Sequence, residues 1–447
     1  MGKKKNQKSN KKKDRKEAAP ITTSGKQQKI QAQAANLDFA DYLAILPGFL
    51  MCAMLVIILV LDIAVPGMSE KQYEDFPNIF TFMDYVAISG GLLYIAVSAK
   101  RRDLRFEKTD IFFAGFALLI IVSTAVNGLD ELTMDGVPYR YIGIFNMFAF
   151  MLIYMGVTRS IKRESFGNVI LTGYLLVADL IALVAIYDRF TGSIEAFSDK
   201  KELSAVFFNG NHYGYFLLMA VLIGVGYYLF SDGSQAVIGA ASAALNSVLL
   251  AINHSLGCIL ALIIVLTVTG VLIAIKDRDY LKRFMMLIAV MIVLFILALL
   301  VSPALRKEFT GLAADLAAIL SNTAEGSAGH RRLQMWRLTA GYISKKPLLG
   351  YGCEGIAFML YEAMKVSNPH CEVLTYAAYY GIPAAILYLT GVVAVLITGI
   401  RRMDSNGVQQ KAACMAATGY FISSFVGVGM FYTLPFFFIF LGLSQKR

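Results

Sequence analysis

Four histidines, His212, His254, His330 and His370, are the side chains of this 447-residue chain best suited to moving a proton near neutral pH. His330 runs directly into Arg331 and Arg332, Arg337 follows, and Arg140 stands alone at the head of an apolar run. Arginine matches phosphate with a planar bidentate fork. Together these residue types could hold a phosphorylated group and deprotonate a nucleophile beside it. Headgroup contact or snorkelling is the plainer use of an arginine pair near lipid. Between the arginines and His370, the run KKPLLGYGCEG places Pro347, Gly350, Gly352 and Gly355 in a tight turn. Its backbone amides are expected to form a nest for an anion. Glu354 in that turn reads as a hydrogen-bonding substrate ligand, as a group that orients His370, or as a solvated loop carboxylate. Asn211 and His212 read as lining an acceptor path or as a helix cap at the membrane surface.

The elements that must carry these residues are membrane helices. Hydrophobic residues make up 57% of the chain and charged residues 16%. A soluble globular chain carries about 25% charged residues. The apolar residues gather into runs of roughly 20, the length of a bilayer crossing. A soluble enzyme, a secreted disulfide scaffold and a disordered protein are excluded. Runs near 43–66, 79–99, 109–127, 141–158, 166–187, 213–230, 235–252, 255–275, 283–301, 372–398, 411–429 and 431–443 predict an all-α polytopic membrane protein of about twelve transmembrane helices. The last run is short for a full crossing. The chain divides into a disordered basic cytoplasmic tail (1–42), helices 1–9 (43–301), a large extracytoplasmic loop (302–370) and helices 10–12 (371–447).

Net charge is +10, and nine of those charges sit in residues 1–30, which hold eleven basic and two acidic residues. The tail reads as a topogenic signal that keeps the N-terminus in the cytoplasm, with attraction to anionic headgroups or nucleic acid the other use of such a run. Basic and acidic loops alternate through the crossings, which puts both termini in the cytoplasm, the long loop outside and all four histidines on the outer side. The five cysteines fit no zinc or haem spacing. Cys353 and Cys371 share the long loop, where a disulfide between them is one possibility. Within that loop, residues 305–320 predict a helix lying flat at the interface and 321–329 a hinge. A second helix begins at His330, with Trp336, the chain's one tryptophan, as an interfacial anchor.

The run from Arg332 through Trp336, then Pro347–Gly352, His370 and Gly381 resembles the signature of the O-antigen ligase and O-antigen polymerase family. Its elements are an arginine four residues before a tryptophan, a Pro-Leu-Leu-Gly-x-Gly turn, and a histidine opening a helix with glycine about eleven residues on. The segment FFNGNHYGYFLL (207–218) is similar to the Phe-x-Asn-x-Asn stretch of that family. The resemblance implies a fold of the membrane glycosyltransferase C type. It implies glycan transfer from a polyprenyl-pyrophosphate carrier to a glycan, lipid or protein acceptor at the outer face of the bacterial cytoplasmic membrane, with no metal or cofactor and no nucleic-acid partner. Carried over, Arg332 contacts the donor pyrophosphate, His370 is the catalytic base, and Arg140 is a second pyrophosphate ligand. Two positions depart from the pattern. Cys371 stands where asparagine is usual, and Leu256 stands in Ser255-Leu256-Gly257 where arginine is usual. Arg331 and His254 are the candidates to replace that cation.

The implied chemistry is an inverting glycosyl transfer. Arg332 and Arg140 stabilise charge on the departing pyrophosphate, and His370 takes the acceptor proton. A secondary transporter or flippase for envelope precursors is the alternative. It calls for mid-membrane charges and internal repeats, and Asp84 and Asp179 are the charged residues that stand out. A non-catalytic scaffold is a third reading. The sequence does not separate ligase from polymerase.

Overall fold

The computed structural model describes residues 42–64, 77–100, 108–137, 140–160, 164–194, 197, 203–207, 209–276, 278–321 and 331–445. The basic tail, residues 322–329 of the expected hinge, and His330 lie outside them. Most described residues of the predicted apolar runs are helical: α1 (Leu46–Ala64), α2 (Pro77–Lys100) and α3 (Lys108–Asn127), then the short α4 (Glu131–Asp135), α5 (Ile144–Ser160), α6 (Glu164–Thr191), α7 (Gly210–Phe230), α8 (Gly233–Asn253), α9 (Leu256–Lys276) and α10 (Leu281–Val301). The long loop contributes α11 (Pro303–Leu320), α12 (Arg332–Lys345) and α13 (Ala357–Met364). The chain ends with α14 (Glu372–Tyr380), α15 (Ile382–Arg401), α16 (Val408–Ser424) and α17 (Leu434–Leu443).

Among the described residues, eight helices are long and apolar enough to cross a membrane: α1, α3, most of α6, α7, α8, α9, α10 with the turn before it, and α15. Tyr85–Ala96, Ile144–Arg159 and Leu434–Leu443 are shorter apolar helices. Helices suit a bilayer because they satisfy their backbone polar groups internally. Their outward faces carry exposed Ile263, Val271, Ile292, Val293 and Leu300, apolar side chains suited to lipid.

The centre of the fold is built on α7, whose side chains are nearly all buried against α8, α16, α6 and α9. Beside it lies α17, ten residues long and buried at every position. At about 1.5 Å per residue, this helix is about 15 Å long, half the hydrocarbon thickness of a bilayer. Its phenylalanines stack into the core, with Phe437 against Tyr420 and Phe436 against Tyr174. Asp179 on α6 accepts from Ser242 and from Asn246 Nδ2 on α8, the latter at 2.7 Å. This polar clamp between helices accounts for one of the two mid-span acids. The side chain of the other, Asp84, lies outside the described residues.

The predicted tenth span is broken. Gly381 has φ +92° and separates α14 from α15, and Pro383 follows. Proline at 383 cannot return a hydrogen bond to the carbonyl of Tyr379, and carbonyls freed in an apolar setting need donors. The glycine turn supplies them. Tyr351 N–H donates to Ala378 O at 2.9 Å and Gly352 N–H to Tyr379 O at 2.8 Å. Ser123 Oγ on α3 donates to the Tyr379 and Leu349 carbonyls, and Ile382 N–H returns to Pro347 O at 2.8 Å. Gly350 N–H and Gly355 N–H are taken up inside the turn, by Lys346 O and Gly352 O. The expected anion nest is therefore corrected. The amides of Gly350, Tyr351, Gly352 and Gly355 close a broken helix and the turn around it. A Cβ at Gly381 would lie 2.0 Å from Leu348 O, and one at Gly350 would lie 2.5 Å from the Ala378 and Tyr379 carbonyls. The contact requires glycine at both positions.

Candidate active site

Val366 and His370, just before α14, line a polar cavity of about 240 Å³. Its walls come from three places. The start of α7 gives Gly210 and Asn211, and the α8–α9 corner gives Asn253, His254, Ser255 and Leu256. The former long loop gives Glu308, Arg332, Met335, Val366 and His370. Asn209 caps α7 by accepting from Asn211 N–H at 2.8 Å. The cap is therefore Asn209, and the Asn211 side chain is left for the cavity wall, where Ser255 Oγ donates to it at 3.3 Å. Asn253 Nδ2 ties the corner to α7 through Gly210 O at 2.8 Å and to Leu203 O at 2.6 Å. The spacing of Asn209 and Asn211 thus has two uses, one in the helix start and one in the cavity.

Arg332 opens α12, which points it into the cavity. Burial pulls its guanidinium below the ordinary arginine value, while Tyr215, Cys258 and Glu308 act in the other direction. His370 is half-buried, and its imidazole is lowered from 6.5 to about 4 by burial first, then by the positive charges of Arg332 and Arg140. It is therefore neutral at physiological pH, the form that can accept a proton. His370 adopts φ +52°, a left-handed conformation that is strained for a side chain with a Cβ. Asn368 Oδ1 accepts the His370 N–H at 2.9 Å, and Trp336 Nε1–H donates to Pro369 O at 3.0 Å. Trp336 is half-buried and bonded to the His370 loop, a more specific role than the interfacial anchor read from the sequence.

Arg140 is buried just outside this cavity. It pairs with Glu354 Oε2 at 2.5 Å and donates to Ser367 Oγ at 3.0 Å. Tyr379 Oη–H also donates to Glu354 Oε2, at 2.6 Å. Burial is the largest effect and draws the Arg140 guanidinium down, but Glu354, Tyr379 and Cys353 together outweigh it and the net direction is upward. Glu354 is buried at 5% exposure, so the solvated-carboxylate reading is overturned: a charge this deep persists because a cation and a phenol satisfy it. Arg140 Nε and Glu354 Oε1 have no hydrogen-bond partner, leaving one donor and one acceptor in the pair unused.

The other expected residues separate. His212 is buried in α7, its Nδ1 without a partner, and is not on the cavity wall. Arg331 is exposed at φ +65° and also off the wall. His254 is on the wall, in a left-handed cap at the end of α8, two residues from Leu256. Cys353 and Cys371 are both free and buried, so the possible disulfide is absent. Burial pushes the Cys353 thiol up to about 12. Glu308 was missed because its helix was read as an amphipathic surface element. A second, apolar cavity of about 450 Å³ adjoins this region between α8, α9, α10 and α11, with Leu250, Ala251, Ile259, Leu262, Phe295 and Phe309 among its walls. The corner residues Asn253–Leu256 line the polar cavity, Ala251 and Ile259 on either side of them line the apolar one, and neighbouring Glu308 and Phe309 face one each.

The fold is polytopic and helical, with an arginine and a histidine on one polar cavity and an apolar cavity nearby. Residues 241–389 match the family model described as O-antigen ligase. That segment runs from the middle of α8 to the middle of α15 and contains every cavity-wall residue except Gly210 and Asn211. The chain is a multi-pass membrane protein carrying an O-antigen ligase domain, and the resemblance to the O-antigen ligase and polymerase family read from its sequence holds over that segment. The members of this family are glycosyltransferase-like enzymes, and the match supports an enzyme of that broad kind. No curated protein matches the chain.

Proposed function

We propose that this protein transfers an oligosaccharide or polysaccharide from a polyprenyl-pyrophosphate carrier to an acceptor hydroxyl at the outer face of the cytoplasmic membrane, with both termini inside. The observation that carries the proposal is the convergence of Arg332 and His370 on one polar cavity, with an apolar cavity lined by the next residues on either side of the α8–α9 corner. The pyrophosphate lies against Arg332, and the lipid chain follows the apolar cavity. The acceptor oxygen forms a bond to the anomeric carbon as the bond from that carbon to the phosphate oxygen breaks. His370 takes the hydroxyl proton, and the electron pair leaves on the carrier pyrophosphate. Arg332 stabilises the charge that develops there, an effect strongest in a site shielded from water. Arg140, already paired with Glu354, acts through its field, and that pair fixes the Ser367 end of the His370 loop. His254 takes the wall position where Leu256 offers no cation, and Asn211 lies on the acceptor side. Arg331, facing outward, meets the glycan or lipid headgroups, and His212 backs the cavity from α7. Lipid-linked glycan and membrane lipid are the partners of this reading, with a glycan, lipid or protein as acceptor.

The test is a surface-glycan profile in a deletion strain complemented with wild type or with His370→Ala at matched membrane levels. Loss of long glycan with His370→Ala supports the proposal. Accumulation of single lipid-linked repeats then indicates a polymerase, and accumulation of finished lipid-linked chains a ligase. Full complementation by His370→Ala refutes it.

A further inference from the structure

Arg332 and Trp336 are four residues apart on α12 and so share one face of that helix. The first lines the polar cavity, and the second reaches the loop that carries His370. The bond it makes is specific. Trp336 Nε1–H donates to the carbonyl of Pro369 at 3.0 Å, and the side chain of Asn368 accepts the N–H of His370 at 2.9 Å. The Pro369 carbonyl and the His370 N–H belong to the same peptide plane, so that plane is gripped at both ends. Its rotation sets the φ of His370, which is +52°, a value an unrestrained histidine leaves readily. Asn368 is itself fixed, Nδ2 donating to Thr375 Oγ1 at 3.2 Å. The proline ring removes the freedom of the residue before.

We propose that Trp336 is a positioning residue for His370: its indole N–H holds the Pro369–His370 peptide in the strained orientation that aims the imidazole into the cavity, and α12 ties that hold to the anion-binding Arg332 one turn away. The inference rests on the transferase reading above. It accounts for the four-residue spacing of arginine and tryptophan as a mechanical requirement, since one rigid turn sets the distance between the group that meets the phosphate and the group that meets the hydroxyl.

The experiment uses the full-length protein in lipid nanodiscs with a lipid-linked glycan donor. Trp336→Phe keeps an aromatic ring and removes the N–H. Benzothienylalanine at position 336 does the same with nearly the shape of tryptophan, and it serves if Trp336→Phe is poorly folded. The expected result is a kcat lowered on the order of tenfold to a hundredfold, with donor KM within about twofold of wild type and thermal stability unchanged. A wild-type kcat in either variant overturns the proposal, as does a loss confined to donor KM. Trp336 is the chain's one tryptophan, so intrinsic fluorescence reports this indole alone. Inorganic pyrophosphate added to the wild-type protein should shift its emission, and Arg332→Gln should abolish the shift. A silent emission at pyrophosphate concentrations that inhibit transfer overturns the link to Arg332. If His370→Ala is active, the transferase reading fails. If His370→Ala is inactive while Trp336→Phe is fully active, only this inference fails.

Discussion

The pH dependence of transfer should differ between the free enzyme and the donor complex. A fall in the His370 pKa from 6.5 to about 4 is on the order of 3 kcal/mol against the imidazolium. Burial supplies the largest part, and the charges of Arg332 and Arg140 the rest. In the free enzyme the base is thus neutral down to about pH 4, and kcat/KM for donor should stay flat from roughly pH 8 to pH 5. A bound pyrophosphate sets negative charge against Arg332 and offsets that arginine's share. The imidazolium is then less disfavoured, so the acid limb of kcat should lie at higher pH than that of kcat/KM, by roughly one pH unit. The same buried imidazole makes the fold acid-sensitive. The unfolded chain takes up its proton below about pH 6.5, the folded one only near 4, so this contribution to stability is present above 6.5 and lost as pH falls toward 4. The assay is initial-rate transfer in nanodiscs across this range, at limiting and saturating donor. An acid limb in kcat/KM centred near 6.5 would refute the reasoning, because His370 would then feel neither its burial nor its arginines.

Further outcomes follow from the same contacts. Glu354→Gln leaves Arg140 as a buried charge without its counter-ion and should cost about 3–5 kcal/mol, read as a lower melting temperature in detergent; the pair Glu354→Leu with Arg140→Met should recover much of it. Gly381→Ala adds a Cβ 2.0 Å from a carbonyl at positive φ and should abolish folded protein in the membrane fraction. Gly311→Ala, with nothing within 4 Å of the new Cβ, should be neutral or stabilise by about 0.5–1 kcal/mol. The buried Cys353 thiol, raised to about 12, should resist maleimide at pH 8 until the protein is denatured, and reductant should leave the melting temperature unchanged.

The membrane helices were legible because a span writes its length directly into composition. Arg332 and His370 were legible together because their types and spacing point to one chemistry; Asn211 was left between a cap and a path wall, and the structure places all three on one cavity. The Arg140–Glu354 pair was not legible as a pair. Its members are 214 residues apart, and no local pattern connects two charges that meet through packing. The glycine turn was misread for a related reason. Its amides looked free in isolation, and only the break at Gly381, itself marked by Gly381 and Pro383, explains where they go. Glu308 was hidden by an amphipathic pattern, which identifies a helix but not which polar residue on it faces a cavity.

The Arg140–Glu354 pair also bears on turnover. A transferase must let its spent carrier go, and release limits many enzymes. With Arg140 held by Glu354, Arg332 is the arginine on the cavity wall among the described residues, and Glu308 shares that wall and acts on its charge. In the transfer proposed above, a guanidinium already facing a carboxylate can steady a leaving pyrophosphate through the moment of transfer yet hold the departed product only loosely. Glu354, by keeping the second cation occupied, would then work as a brake on product retention, leaving the membrane carrier free to exchange for the next loaded one.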